Sequence, residues 1–269
     1  MIKSDFHTHT AFSDDCEFPM DVMIQAAIDQ GIECLAITDH YDPDYPDHSL
    51  PFDLELDRYI PALDEARERY EGRIEIAKGI EVGIRDGSYD KCNAAVEMTD
   101  FDVVIGSFHA YRDRKKEEDI AISVWDFSDR DMVKFLEDFY IYMYECLRAY
   151  KNYDILGHFS IMDRYSGGLK DYGPYEDIID EILKLMIGDG KALEINTSSY
   201  AYKMECNLPR ESILRRYREL GGEMITFGSD AHAPYNLRSH FDEAGDLARS
   251  LGFRSYCTFK GRKPLFHSL

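Results

Sequence analysis

The sequence predicts an α/β fold built on a parallel sheet, closed as a barrel or left open. Short apolar runs alternate with amphipathic stretches along the whole chain, and glycines, prolines and small hydroxyl residues punctuate the joints. Strand patterns alternating with helix patterns in this way are the mark of βαβ units, whose strands lie parallel. With 269 residues, 44% of them hydrophobic, the chain can bury a sizeable core, and its length suits one α/β-barrel domain as well as two smaller ones. No internal repeat, low-complexity tract or linker divides it, so residues 1–269 read as a single domain.

The elements follow in order. The first strand is expected over 2–6. A helix begins after Pro19 and stops at Gly31, with Val22, Met23, Ala26 and Ala27 on one face. Strands over 34–38, 74–78 and 103–106 come next. Ser128 is a good N-cap for a helix carrying Val133, Leu136, Phe139, Tyr140, Met143 and Leu147. After a strand over 154–156, Ile178, Ile179, Ile182, Leu183 and Met186 form a helical stripe ahead of Gly188 and Gly190. A strand over 192–195 precedes a helix opening at Pro209, running through Ile213, Leu214 and Tyr217 and halting at Gly221 and Gly222. The last strand, 224–227, leads to a helix that Ser239 starts and Gly252 ends. Two stretches read as long loops: 42–57, rich in proline and acids, and 111–126, dominated by charge. Both directly follow candidate site residues, and are either covers for a pocket or ordinary surface loops.

Charge and cysteine usage narrow the function. The formal net charge of −21 leaves no broad basic face for nucleic acid or a membrane surface. A phosphate-bearing substrate would have to find positive charge locally, from a metal or a few basic side chains. Cys16, Cys34, Cys92, Cys146, Cys206 and Cys257 are scattered with no C-x-x-C pairing, which points to reduced thiols. No apolar stretch approaches the roughly 18 residues of a membrane span, and "MIKSDFH" lacks the apolar core of a signal peptide. A soluble cytoplasmic protein is expected.

The strongest signal is where the reactive side chains fall. Strand one ends in His7 and His9; strand two runs into "ITDH", with Asp39 and His40; strand three ends "GIE" at Glu81. Strand four is followed by "GSFH" and His109, strand five by "GH" and His158, strand six by "EINTS" with Asn196, strand seven by "GSDAH" with Asp230 and His232. In a parallel α/β barrel all strands end on one rim, where the βα loops build the active site. A lone histidine after a strand is ordinarily a hydrogen-bonding loop residue, and Glu81 alone could serve a helix N-terminus. Six of nine histidines at strand ends, with acids at three of those ends, is a pattern coincidence rarely gives. His48, His240 and His267 are assigned no function.

Histidine-x-histidine on a strand puts both imidazoles on one face. Neutral imidazoles with carboxylates suit zinc, iron or manganese, and no matched cysteine set points to a structural zinc knuckle. The donors outnumber the four ligands of one tetrahedral site, which favours two or three metals sharing a carboxylate. Paired metals about 3.5–4 Å apart activate water and clamp a phosphoryl oxygen, which is hydrolysis chemistry.

Taken together, "HTHT", "TDH", "GIE", "GSFH", "GH" and "GSDAH" resemble the polymerase-and-histidinol-phosphatase (PHP) superfamily of metal-dependent phosphoesterases, from residue 5 to about 267. More narrowly, "TDHYDPDYP", "FDVVIGSFH", "ILGH", "EINTS", "ELGGEMITFGSDAH" and "RKPLF" resemble its stand-alone histidinol-phosphatase branch. The resemblance implies a distorted (β/α)7 barrel with two or three divalent ions (zinc, manganese or iron) at the C-terminal rim. It implies that His7, His9, Glu81 and Asp230 hold the first metal, and that Glu81 bridges to a second held by His109 and His158. His40, His232 and an acid of "FSDD", Asp15 or alternatively Asp14, would hold the third. Asp39 would orient an imidazole rather than bind metal.

The reaction so implied is hydrolysis of L-histidinol phosphate to L-histidinol and phosphate in histidine biosynthesis, with catalytic roles for His40, Asp230 and Arg164. Arg164, in "MDRYSG", matches a position used to grip phosphate, though a surface arginine would look the same. One departure stands out. After "EINTS" the family continues with glycine and then arginine, where this chain has Ser199 and Ala201. Lys203 is the substitute within reach, but a lysine lacks the guanidinium fork. Another phosphate ester, such as a nucleotide, is therefore the competing substrate. An amidohydrolase-type C–N hydrolase and a non-catalytic binding protein on the same scaffold rank behind it.

Overall fold

The computed structural model describes residues 1–114, 116–128, 131–166 and 172–269. The chain runs β1 (Ser4–Asp5), α1 (Met20–Asp29), β2 (Cys34–Ile37), a two-residue β3 (His40–Tyr41), α2 (Leu56–Arg69) and β4 (Glu75–Gly83). It continues through α3 (Tyr89–Val96), β5 (Val103–Ser107), β6 (Ala110–Asp113), β7 (Glu118–Ala121), α4 (Met132–Ala149) and β8 (Ile155–Leu156). Last come α5 (Glu176–Gly188), β9 (Ala192–Asn196), α6 (Glu211–Glu219), β10 (Ile225–Gly228), α7 (Phe241–Ser250), β11 (Ser255–Lys260) and β12 (Lys263–Ser268).

Seven strands pair in parallel in the order β1-β2-β4-β5-β8-β9-β10, with β3 added beside β4. The two ends of that order meet: Phe6 N–H donates to Phe227 O at 3.0 Å and Asp230 N–H to His7 O at 2.8 Å. The result is a nearly closed (β/α)7 barrel, as expected. Strand β4 is its spine, registered with β2 from Glu75 to Lys78, with β3 at Glu81 and with β5 from Gly79 to Gly83.

Alternation along the strands decides what the barrel encloses. Phe6, Ala36, Ala77, Val103, Ile105, Ile155 and Ala192 share one apolar cluster with Cys257 and Phe259 of β11, while their neighbours Leu35, Ile37, Ile76, Val104, Leu156 and Leu193 pack outward into the helix layer. Two and four residues further along that inward face come Ser107, Glu194 and Asn196, and Glu81 lies four beyond Ala77. Polar side chains are thus stacked directly above an apolar plug, out of reach of bulk water.

The helix boundaries differ from expectation in places. Helix α4 is capped by Asp131, whose Oδ1 accepts from Lys134 N–H at 3.2 Å, not by Ser128, whose N–H is turned to Asp126. Helix α6 is capped by Arg210 rather than opened by Pro209, and α7 starts after His240 rather than Ser239. Helices α2 and α3 were unforeseen. In α2 only Tyr59, Leu63 and Ala66 are buried and Pro61 lies inside, a stripe too thin to stand out among charges. The stretch 111–126 is not a plain loop: β6 and β7 form an antiparallel hairpin with Tyr111 opposite Ile120. The hairpin β11–β12 was likewise unforeseen, and its first strand seals the bottom of the barrel. None of the six cysteines forms a disulfide, and among the described residues no helix is long and apolar enough to cross a membrane.

Two connections roof the upper rim. Buried Arg85 ties them together, donating to Asp119 Oδ2 at 2.7 Å on β7 and to the carbonyls of Pro43 and Asp44 at 3.2 Å. Just after β7, Ser123 Oγ lies 3.1 Å from Tyr45 Oη.

Candidate metal centre

The strand-end residues converge. Glu81 is fully buried at the middle. Its Oε1 lies 3.2 Å from His7 Nε2, 3.3 Å from His109 Nε2 and 3.0 Å from His158 Nε2. Its Oε2 lies 2.7 Å from His40 Nδ1 and 3.6 Å from His9 Nε2. Asp230 Oδ1 stands opposite, 3.7 Å from His7 Nε2 and 3.3 Å from His9 Nε2. Further out, Asp15 Oδ2 lies 3.1 Å from His232 Nε2 and 3.7 Å from His40 Nε2. The His40 and His232 rings both stack on His9, with centroids 4.1 Å away. Asp14 faces elsewhere, accepting the Phe52 N–H at 2.9 Å. Of the two acids of "FSDD" considered, Asp15 is the one brought to the cluster.

Among the described residues four overlapping sets of donor atoms result: His7, His9 and Asp230; His7, Glu81 and His158; His9, His40 and His232; and His40, Asp42 and His109. Buried His7 Nε2, His9 Nε2, His40 Nδ1, His232 Nε2 and Glu81 Oε2 have no hydrogen-bond partner. Unsatisfied buried polar atoms are costly and rare, and so many aimed at one another is a ready cradle for divalent cations. The imidazole and carboxylate set suits zinc, manganese or iron.

Electrostatics agree. Burial alone would push His7 down, but the carboxylates of Glu194, Glu81 and Asp230 hold its pKa well above the ordinary value. Against the same burial, Asp42 and Glu81 raise His109, and Asp15 and Asp230 raise His232 to about 9. His9 goes the other way, lowered by burial and by neighbouring His40 and His232. Burial would raise Glu81 and Asp230, yet the imidazoles around them keep both well below the carboxylate range. In the metal-free chain, protons on His7, His109 and His232 supply positive charge that the carboxylates demand.

Backbone geometry also marks the rim. His158 and Asp230 are non-glycine residues with φ of 21° and 52°, conformations that persist only where surroundings enforce them.

A second layer fixes these donors, and most of it was not singled out beforehand. Glu194 Oε1 lies 2.6 Å from His7 Nδ1, and its Oε2 accepts the His158 N–H at 2.6 Å. Both oxygens of Asp42 lie 3.0 Å from His109 Nδ1. Ser107 Oγ donates to Glu81 at 2.5 Å. The signal for Glu194 was present: a carboxylate inside the apolar run "ALEIN", on the inward face. Asp39 reaches the imidazoles through Ser13. It accepts from Thr10 N–H and Ser13 Oγ, both at 2.7 Å, and Ser13 in turn meets His9 Nδ1 at 3.3 Å and the His40 N–H at 3.0 Å. Asn196 accepts the Ser198 N–H at 3.0 Å and donates to Glu194 at 3.1 Å.

The cluster opens into a cavity of about 150 Å³, walled by Tyr45, Leu50, Phe52, Phe108, Ile122 and Ile161 and floored by cluster residues. The 42–57 stretch, through Tyr45, Leu50 and Phe52, and the turn just after β7, through Ile122 and Ser123, line it. Arg164 lines this cavity, donating from Nη2 to Ser198 Oγ, with Asp230 Oδ2 3.5 Å away. Lys203 does not line it; the residue is exposed, at φ 61°, and closes the turn Ser198–Tyr202. The ring near Arg164 is that of Tyr202, 4.3 Å from the guanidinium carbon.

Comparison with known proteins gives the same picture. A sequence model of the PHP domain matches residues 5–198. The histidinol-phosphatase of Lactococcus lactis subsp. lactis (strain IL1403) is 29% identical over 98% of this chain and 96% of its own length. A probable histidinol-phosphatase of Clostridium acetobutylicum is 28% identical over 93% of this chain and 94% of its own. The crystal structure of the Lactococcus lactis histidinol phosphate phosphatase, complexed with zinc, L-histidinol and phosphate, superposes with a TM-score of 0.86 at 26% identity, covering 98% of this chain and 99% of that one. The matched segment carries the rim from His7 to His158, and a barrel that gathers those residues around one buried glutamate is the frame they require: the chain belongs to the PHP domain family.

Proposed function

We propose that this protein is a divalent-metal-dependent phosphomonoesterase that hydrolyses L-histidinol phosphate to L-histidinol and phosphate. The observation that carries the reading is the nest of unpartnered donor atoms around Glu81, opening beside Arg164 into a small, partly apolar cavity. Likeness to a phosphatase holding zinc, L-histidinol and phosphate supports the substrate.

His7, His9, Asp15, His40, Glu81, His109, His158, Asp230 and His232 are the ligands for two or three ions of zinc, manganese or iron. Bound there, such ions withdraw charge from the phosphoryl group and activate water. The protein's own groups do the rest. Arg164 offers guanidinium N–H donors to the phosphate oxygens. Glu194, Asp42 and Ser107 keep the inner donors in fixed orientation. Tyr45, Leu50 and Phe52 shield the cavity from bulk water and contact the organic part of the substrate. Residues 1–269 act as one catalytic domain on a small phosphorylated substrate, in a cytoplasmic setting that suits reduced thiols.

A second substrate reading has its own observation. Arg164 is the one arginine or lysine lining the cavity among the described residues, with Ser199 and Ala201 supplying no second cation. A different phosphate ester, such as a nucleotide, is the alternative. Phosphate release from L-histidinol phosphate, a nucleotide panel and an aryl phosphate, with Mn²⁺ or Zn²⁺, separates the two. Preference for L-histidinol phosphate by at least an order of magnitude in kcat/KM is expected; no turnover above the aryl phosphate rejects it.

A further inference from the structure

Tyr202 is 61% exposed. Its ring lies over the Arg164 guanidinium, 4.3 Å from centroid to Cζ. It lines the cavity above the metal-ligand cluster and also a second, polar chamber of about 270 Å³ bounded by Thr197, Ser229, Asn236 and Ser239. Tyr202 lines both, together with Asp15, Ser198, Asp230 and His232.

Arg164 Nη2 donates to Ser198 Oγ, and Asp230 Oδ2 is 3.5 Å from the same nitrogen, well beyond the 2.7–2.9 Å of a closed charge-assisted contact. A guanidinium drawn onto that carboxylate would lose donors for an incoming anion. Its Nε is buried with no partner, so an unused donor remains. Stacking against an aromatic face holds a guanidinium by attraction to the ring's negative face while consuming none of its N–H groups.

We propose that Tyr202 is the positioning residue for the phosphate-binding arginine: its ring face pins Arg164 off Asp230 and so supplies, through one well-held guanidinium, the anion affinity that Ser199 and Ala201 do not provide. The inference rests on the phosphomonoesterase reading.

The test uses the zinc-loaded full chain, with L-histidinol phosphate for kinetics and orthophosphate for equilibrium binding. Tyr202→Leu should raise KM and the orthophosphate Kd roughly fivefold to thirtyfold, with kcat held within about twofold. Tyr202→Phe, which keeps the ring face, should restore both. In an Arg164→Met background Tyr202→Leu should add no further loss. Wild-type affinity in Tyr202→Leu, an equal defect in Tyr202→Phe, a loss that adds to that of Arg164→Met, or a fall in bound zinc each overturns the proposal. If the wild type binds orthophosphate but does not turn over L-histidinol phosphate, the substrate reading fails while the orthophosphate titration still decides Tyr202.

Discussion

Glu194 Oε1 lies 2.6 Å from His7 Nδ1, and both side chains are buried to within 1%. The contact fixes the tautomer and tilt of His7 so that Nε2 faces Glu81 and Asp230. Partners of this kind are typically worth ten- to a hundredfold in metal affinity. Glu194→Gln should weaken zinc binding by about that factor, measured by competition with a chromophoric chelator, with the circular dichroism spectrum unchanged. Undiminished affinity would remove Glu194 from the centre.

Gly228 sits where a side chain has no room. A Cβ there would lie 2.0 Å from Glu194 Oε1 and 2.6 Å from His7 Cβ, both buried. Gly228→Ala must displace that pair, at a cost of about 1–3 kcal/mol. Thermal unfolding should show the loss, and bound zinc per chain should fall with it.

Arg164→Lys keeps a positive charge but loses the planar fork. KM for L-histidinol phosphate should rise roughly tenfold or more, as for a lost charged hydrogen bond of about 1.5–3 kcal/mol. Steady-state kinetics at saturating metal read this directly, and an unchanged KM would place the anion elsewhere.

The pH dependence has a definite sign. His232 titrates near 9 in the folded metal-free chain, above its ordinary 6.5, so its contribution to stability is complete below 6.5 and is lost as pH rises through about 9. His7 and His109 are shifted in the same direction. Metal-free protein should therefore lose thermal stability between pH 6.5 and 9. Metal loading near neutral pH should release protons, because the ions displace them from these rings. Calorimetric titrations in buffers of different ionisation enthalpy count those protons, and a count of zero would contradict the charge balance around Glu81.

Much of this architecture is written locally. Each barrel strand is a short apolar run ending in a polar motif, so the rim from His7 to His232 could be assembled on paper once the strands were taken as parallel. What escaped notice depends on distant partners. Helix α2 buries only Tyr59, Leu63 and Ala66, and its stability comes from packing on the barrel. The 110–121 hairpin hides its pairing under charged side chains, with Ala110 and Ala121 buried. Asp42 looks like one more acid in an acidic loop until the fold brings His109 beside it. Glu194 is distinguished only by the parity of its position on β9, and Tyr202 only by a guanidinium 38 positions earlier in the chain.

Arg85 follows Glu81 by four residues on the same run of backbone, and it grips Pro43, Asp44 and Asp119. One continuous piece of main chain therefore anchors the ceiling and the buried carboxylate beneath it alike. Any shift of that piece would carry both along, so the spacing between them is set by four residues of chain.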